Sequence, residues 1–192
     1  MLFLPKSKKE FSVSRELVIE FSKFMNTPRF HRYKEGDSNK SLEYKICEEI
    51  FGKCLIKPPV NLAEEFAEID CYINGEALQV KCRNDKQFLI LEDYKTQANG
   101  EKTSWVDRSV AQYTLIVCPG NNIDTLSVKL FETRDLQRLL KLIRLKDKDS
   151  NFEFNPIDID WLNTYFPEWK YFVPQIVCPG KKNESKLFKI SI

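Results

Sequence analysis

The sequence contains a single histidine, His31, and has little excess charge of either sign, because 30 Lys and Arg residues face 28 Asp and Glu residues. One imidazole argues against Ser-His-Asp and Cys-His catalysis, which need a histidine beside the nucleophile. A net charge of +2 indicates no particular partner by itself. Long apolar runs are also missing, and none approaches the roughly 18 residues of a membrane span. We therefore expect a globular protein without a membrane segment.

The cysteines do not show the spacing of a zinc site. No two of them form a Cys-x-x-Cys pair, and one histidine cannot complete a ligand cluster alone. Most stand in apolar runs, where free cysteine behaves as a small buried hydrophobe. We expect reduced, metal-free thiols. The opening residues are too short an apolar stretch for a secretory leader, so we expect a cytoplasmic protein, or one in the host cytoplasm if it is encoded by a phage or virus.

The hydrophobic pattern predicts two helices followed by a series of short strands. The helices cover 12–25 and 41–51, and Gly52 is a plausible end for the second. Asn74-Gly75 is the strongest hairpin motif in the chain. The predicted strands are 68–73, 77–83, 88–91, 113–118, 126–131 and 175–178, with a loop at 93–108 and a helix from 133 to about 145. This order predicts an α/β (α+β) fold with a mixed central sheet flanked by helices.

The segment 68–83, EIDCYINGEALQVKCR, carries the most informative polar residues. Strand alternation places Asp70 on the face away from the core, and puts Gln79 and Lys81 together on one face of the next strand. The hairpin makes the two strands neighbours, so we expect these three side chains to converge. Carboxylate and amide oxygens suit Mg²⁺. An adjacent ammonium could stabilise a phosphate and orient or deprotonate a water.

These residues resemble the pattern of the PD-(D/E)XK nuclease superfamily. That pattern is an acid on a first helix, an Asp on one strand and (Glu/Asp)-x-Lys on the partner strand, matched here by Glu43, Asp70 and Gln79-Val80-Lys81. Gln in place of Glu is similar to Mrr-type restriction enzymes and some homing endonucleases, and it removes one negative charge. The resemblance implies a restriction-endonuclease-like core in which Glu43, Asp70, Gln79 and Lys81 are catalytic. The resemblance implies that the first three bind Mg²⁺, or Mn²⁺ in its place.

Downstream segments resemble phage-type nucleases of the same superfamily. FLILED, NGEKTSWVDRS and AQYTLIVC follow the lysine strand in the expected order, which implies that Glu92 and Lys102 lie near the site. Lys102, Thr103, Arg108 and His31 are the candidate nucleic-acid contacts, although an ordinary polar loop is an alternative for each.

The chain offers no convincing internal boundary, so we predict one domain over 1–192. Its nuclease-like core covers about 41–145, with an N-terminal helical extension at 1–40 and an aromatic-rich C-terminal extension at 146–192. Aromatic side chains at that density fill a core or an interface more often than they stack on bases.

Three functions remain open at this point. The first is a Mg²⁺-dependent DNA endonuclease of restriction, homing or junction-resolving type, acting on double-stranded DNA as a monomer or a homodimer. The second is a catalytically degenerate member that binds DNA or a partner protein without cleavage. The third is a small structural protein, which the modest net charge allows.

Overall fold

The computed structural model describes residues 8–27, 42–53, 56–57 and 67–191. They form a mixed α/β fold with ten strands and five helices among the described residues. The strands are β1 (Lys8–Ser12), β2 (Ile56–Lys57), β3 (Cys71–Ile73), β4 (Glu76–Cys82), β5 (Phe88–Thr96), β6 (Lys102–Thr103), β7 (Tyr113–Pro119), β8 (Thr125–Glu132), β9 (Phe172–Val177) and β10 (Ser185–Ser191). The helices are α1 (Arg15–Asn26), α2 (Leu42–Phe51), α3 (Trp105–Arg108), α4 (Thr133–Lys148) and α5 (Pro156–Tyr165). None of the helices in these ranges is long and apolar enough to cross a membrane.

The chain divides into two compact units, each built from separate stretches of sequence. The first unit comprises Met1–Lys86 and Val110–Glu132, and the second comprises Gln87–Ser109 and Thr133–Ile192. The predicted core at 41–145 therefore contributes residues to both units.

The first unit contains a six-stranded mixed sheet in the order β1-β8-β7-β4-β3-β2. Only β4 and β7 run parallel, and the other neighbours are antiparallel. A parallel pair needs a long crossover connection, and here the segment between β4 and β7 enters the second unit. The sequence expectation of a mixed sheet with helices is thus confirmed.

Helices α1 and α2 supply apolar side chains to the main core of this unit. Leu17 and Phe21 of α1, with Ile46 of α2, belong to the same buried cluster as Leu115 of β7 and Val128 of β8. Ser14 caps α1, because its Oγ accepts a hydrogen bond from the Leu17 N–H at 3.2 Å.

The hairpin between β3 and β4 forms where the sequence predicts it. Asn74 and Gly75 have φ values of 53° and 86°, the two successive left-handed residues that a tight type I′ turn requires. The register pairs Ile73 with Glu76 and Cys71 with Leu78. The turn therefore fixes which residues of the two strands face one another.

The second unit contains a four-stranded antiparallel sheet in the order β6-β5-β10-β9. Within this unit the Arg144 guanidinium of α4 binds Asp93 of β5 and Asp107 of α3, with nitrogen–oxygen distances of 2.6 and 2.8 Å. The aromatic residues of the C-terminal segment pack on one another: Phe154 contacts Trp169, and Trp161 contacts Phe166.

Several elements differ from the sequence-based expectation. The residues predicted as a loop at 93–108 continue β5 to Thr96 and then form β6 and α3. The short helix α3 begins after Ser104, which caps it. The sequence pattern did not predict α5 or β10, because apolar and charged residues alternate over only a short stretch in each. Helix α4 continues to Lys148, three residues beyond the predicted end.

Leu126 and Ile123 provide a matched test of this core. Leu126 is fully buried in the main cluster, whereas Ile123 is 81% exposed a few residues earlier in the chain. We expect Leu126→Ala to lower the free energy of unfolding by about 2–5 kcal/mol, since it opens a cavity. Ile123→Ala should change it by no more than about 0.5 kcal/mol. Urea denaturation followed by circular dichroism measures both, and equal effects would contradict the described core.

Candidate functional site

Asp70 is fixed to β4 by its backbone and by its side chain. Its N–H donates to the Leu78 carbonyl oxygen at 2.9 Å, and its Oδ2 accepts from the Val80 N–H at 2.6 Å. The hairpin register brings these atoms together, because Asp70 immediately precedes β3 and Cys71 pairs with Leu78. The carboxylate is therefore held beside the start of the Gln-x-Lys segment.

Glu68 joins the two polar side chains of β4. Its Oε2 accepts a hydrogen bond from Gln79 Nε2 at 2.8 Å and lies 2.8 Å from Lys81 Nζ. The Lys81 and Glu68 side chains are only 20% and 17% exposed. A single carboxylate oxygen thus contacts both the amide and the ammonium in a partly buried position.

Gln79 is fully buried, not a solvent-facing side chain on an ordinary hairpin. Besides its bond to Glu68, its Oε1 lies 3.5 Å from Thr114 Oγ1, which donates to it. Thr114 is the parallel partner of Gln79 in β7, so the sheet itself places this hydroxyl. A buried polar side chain needs such partners, because an unsatisfied amide is costly in the interior.

The pKa of the Asp70 carboxyl is raised from its ordinary value to about 6, chiefly because burial disfavours the charged form. Lys81 and the Val80 N–H act in the opposite direction, whereas the charges of Glu43 and Glu68 raise the pKa further. Glu43 lies in the first turn of α2, so its carboxylate acts on Asp70 from the helix. The predicted residues Glu43 and Lys81 are therefore both within electrostatic reach of Asp70.

The oxygen atoms at this place suit a hard cation, but they do not form a dense ligand cluster. Among the residues that the structure describes, no three His, Cys, Asp or Glu side chains are grouped so as to hold a metal ion. Mg²⁺ commonly uses one or two carboxylates and keeps several waters. The excess of carboxylate over ammonium around Asp70 fits that mode of binding.

Three of the predicted nucleic-acid contacts belong to the other unit of the chain, and the fourth is not described. Lys102, Thr103 and Arg108 belong to the second unit, and His31 lies outside the described residues. Lys102 is bound by Glu184 at 3.5 Å and lies over the Tyr94 ring. Thr103 Oγ1 accepts from Gln97 Nε2 at 2.8 Å, and Arg108 is an exposed residue that ends α3.

Glu92, also predicted near the site, belongs to the second unit as well. Its Oε1 accepts from the Trp105 N–H at 3.2 Å, and its carbonyl oxygen accepts from Ser104 Oγ. In this position Glu92 stabilises the start of α3.

Sequence reasoning missed Glu68 and Thr114. Glu68 stands two residues before Asp70 and has a φ of 63°, a left-handed conformation that breaks the alternation on which the strand prediction relied. Thr114 is visible only once the parallel pairing of β4 with β7 is known. The sequence clue to Glu68 was its acidic side chain, which stands close to Asp70 of the motif.

Comparison of the chain with protein-family models, with curated proteins and with solved structures finds no match.

The pKa of Asp70 predicts a pH-dependent effect of Asp70→Asn. The folded state binds the proton more tightly than the unfolded chain, so Asp70 adds stability below about pH 4, and this stability is lost as the pH rises through about 6. The neutral amide has no such loss. We therefore expect Asp70→Asn to gain stability relative to the wild type between pH 4 and pH 8, by at most about 3 kcal/mol.

Urea denaturation at several pH values measures this difference. The substitution Asp124→Asn, at an exposed residue of the same unit, is the matched control. An advantage of Asp70→Asn that stays constant with pH, relative to that control, would show that the carboxyl is not the buried group described here.

Proposed function

We propose that the protein is a metal-dependent endonuclease that hydrolyses phosphodiester bonds in DNA. The observation that carries this proposal is that Glu68 Oε2 contacts Gln79 Nε2 and Lys81 Nζ at 2.8 Å, while Asp70 Oδ2 binds the N–H of Val80 between these two residues. The resemblance to the PD-(D/E)XK pattern assigns catalytic roles to Asp70, Gln79 and Lys81. An acid, an amide and an ammonium together provide the groups that phosphoryl chemistry needs.

Lys81 would stabilise the developing negative charge on the scissile phosphate. Its ammonium is held in place by Glu68, so it need not reorganise when charge develops. The partly buried position strengthens this interaction, because the effective dielectric there is lower than in water.

Asp70 and Glu43 would hold the divalent cation, with the Gln79 carbonyl oxygen as a further ligand. Gln79 Oε1 accepts a long hydrogen bond from Thr114, so binding a cation through this oxygen would replace that contact. When bound, Mg²⁺ neutralises phosphate charge and lowers the pKa of a water. Asp70 would act as a cation ligand above about pH 6, where its carboxyl is ionised.

A second candidate is a nuclease-fold protein that binds DNA or a partner protein without cleaving. Two observations favour it: Gln79 is neutral where an acid is most common, and the described residues contain no group of three metal-ligating acids. The experiments below separate the two functions, since the second predicts salt-sensitive binding alone.

Lys81→Ala is expected to abolish DNA cleavage. In a plasmid-nicking assay with Mg²⁺ or Mn²⁺, the wild type should cleave and Lys81→Ala should be slower by about 100-fold or more, because a preorganised charge is removed. Lys57→Ala, at an exposed lysine of β2 in the same sheet, is the matched control and should retain activity. A wild type that binds plasmid without nicking it would favour the second candidate, and neither binding nor nicking would leave only a structural role.

Metal binding offers a readout that does not depend on cleavage. Titration calorimetry with Mn²⁺ at pH 8 should show binding to the wild type, and Asp70→Asn should weaken it by at least about tenfold, since a carboxylate ligand becomes neutral. Glu76→Gln changes a carboxylate at the turn end of the same hairpin and should leave the affinity unchanged. Equal Mn²⁺ affinity in wild type and Asp70→Asn would remove Asp70 from the proposed ligands.

A further inference from the structure

Gln79 occupies a position that carries an acid in most sequences of the pattern it resembles, and yet a carboxylate lies against it. That carboxylate belongs to Glu68, whose Oε2 is 2.8 Å from Gln79 Nε2. The amide donates and the carboxylate accepts, so the negative charge sits on the neighbouring segment and not on β4. The two side chains form a hydrogen-bonded pair that carries one negative charge in total.

The same oxygen also binds Lys81. Glu68 Oε2 lies 2.8 Å from Lys81 Nζ, and both side chains are mostly buried. Gln79 and Lys81 are two residues apart in β4, so they share a face of the strand, and one carboxylate spans both. Removing it would take this partner from the ammonium and leave the buried amide donor of Gln79 without this acceptor.

The backbone of Glu68 adopts an unusual conformation at this contact. Its φ of 63° is a conformation that residues other than glycine seldom adopt. Such conformations persist where surrounding contacts hold them.

We infer that Glu68 is a positioning residue of the proposed nuclease site, and that it carries the negative charge that Gln79 lacks. It acts through Lys81: it fixes the ammonium against the face of β4 where the phosphate is stabilised, and it orients the Gln79 amide so that Oε1 faces Thr114. This inference rests on the proposed function. It adds a residue outside the Asp and Gln-x-Lys positions.

The test exchanges the charge between positions 68 and 79. Glu68→Gln should reduce kcat by about 10- to 100-fold with little change in KM for DNA, as expected when a supporting partner is lost. Gln79→Glu alone should also be impaired, because it sets two carboxylates against each other at the position of the present 2.8 Å hydrogen bond. The double variant Glu68→Gln with Gln79→Glu keeps one carboxylate and one amide in contact, and should recover kcat to within a few-fold of the wild type.

Four variants of the full chain are compared with the wild type by nicking kinetics with Mg²⁺, and their folding is checked by thermal denaturation: the two single substitutions, the double variant, and Glu76→Gln as the control. Because kcat is compared among variants shown to be folded, recovery in the double variant measures an interaction between the two positions in turnover and not in stability. If Glu68→Gln does not fold, the comparison of Gln79→Glu with the double variant still measures the interaction.

The outcomes separate this inference from the proposed function. If the wild type cleaves and Lys81→Ala does not, while Glu68→Gln retains the full kcat, the inference is overturned and the nuclease function stands. A folded double variant no more active than Gln79→Glu also overturns it. If the wild type does not cleave DNA under any of these conditions, both fall together.

Discussion

The register of the β3–β4 hairpin is the constraint on which the candidate site depends. Asn74 and Gly75 adopt left-handed conformations that allow a two-residue turn, and this turn sets Cys71 opposite Leu78. A slip of one residue would turn every side chain of β4 to the other face. Gln79 and Lys81 would then lie in the apolar cluster that now contains Leu78 and Val80, and the contacts with Glu68 would be lost. The register that the turn sets is therefore the same register that the contacts of the polar site require.

Charge balance gives the site its chemical character. Around Asp70 the carboxylates of Glu43 and Glu68 oppose ionisation, and Lys81 favours it. Burial tips the balance towards the neutral acid below about pH 6. In the proposed function a proton and a divalent cation would compete for this carboxylate, so cation binding would be coupled to proton release.

Local sequence chemistry predicted the parts of the fold that are decided locally. The Asn-Gly turn and the end of α2 at Gly52, which has a positive φ, both follow from short-range preferences. The parallel pairing of β4 with β7 joins segments about 35 residues apart in sequence, and no local pattern encodes it. Helix α5 and strand β10 were missed because neither shows a clear apolar period in the sequence.

The candidate site was predictable to the extent that strand alternation holds. Alternation brought Gln79 and Lys81 to one face, and both contact the same oxygen. It did not reveal the complete burial of Gln79, which comes from neighbouring strands, nor the role of Glu68, whose backbone departs from an extended conformation.

The interleaving of the two units bears on how the chain acquires its structure during synthesis. The chain passes from the first unit to the second after Lys86, returns at Val110, and leaves again after Glu132. β4 emerges from the ribosome well before its partner β7, so its edge stays unpaired while the intervening stretch is translated. Neither unit corresponds to a contiguous gene fragment, and a cut at Lys86 would separate β4 from the strand that completes its hydrogen bonding. The six-stranded sheet of the first unit can therefore be completed only after the chain has been synthesised as far as Glu132.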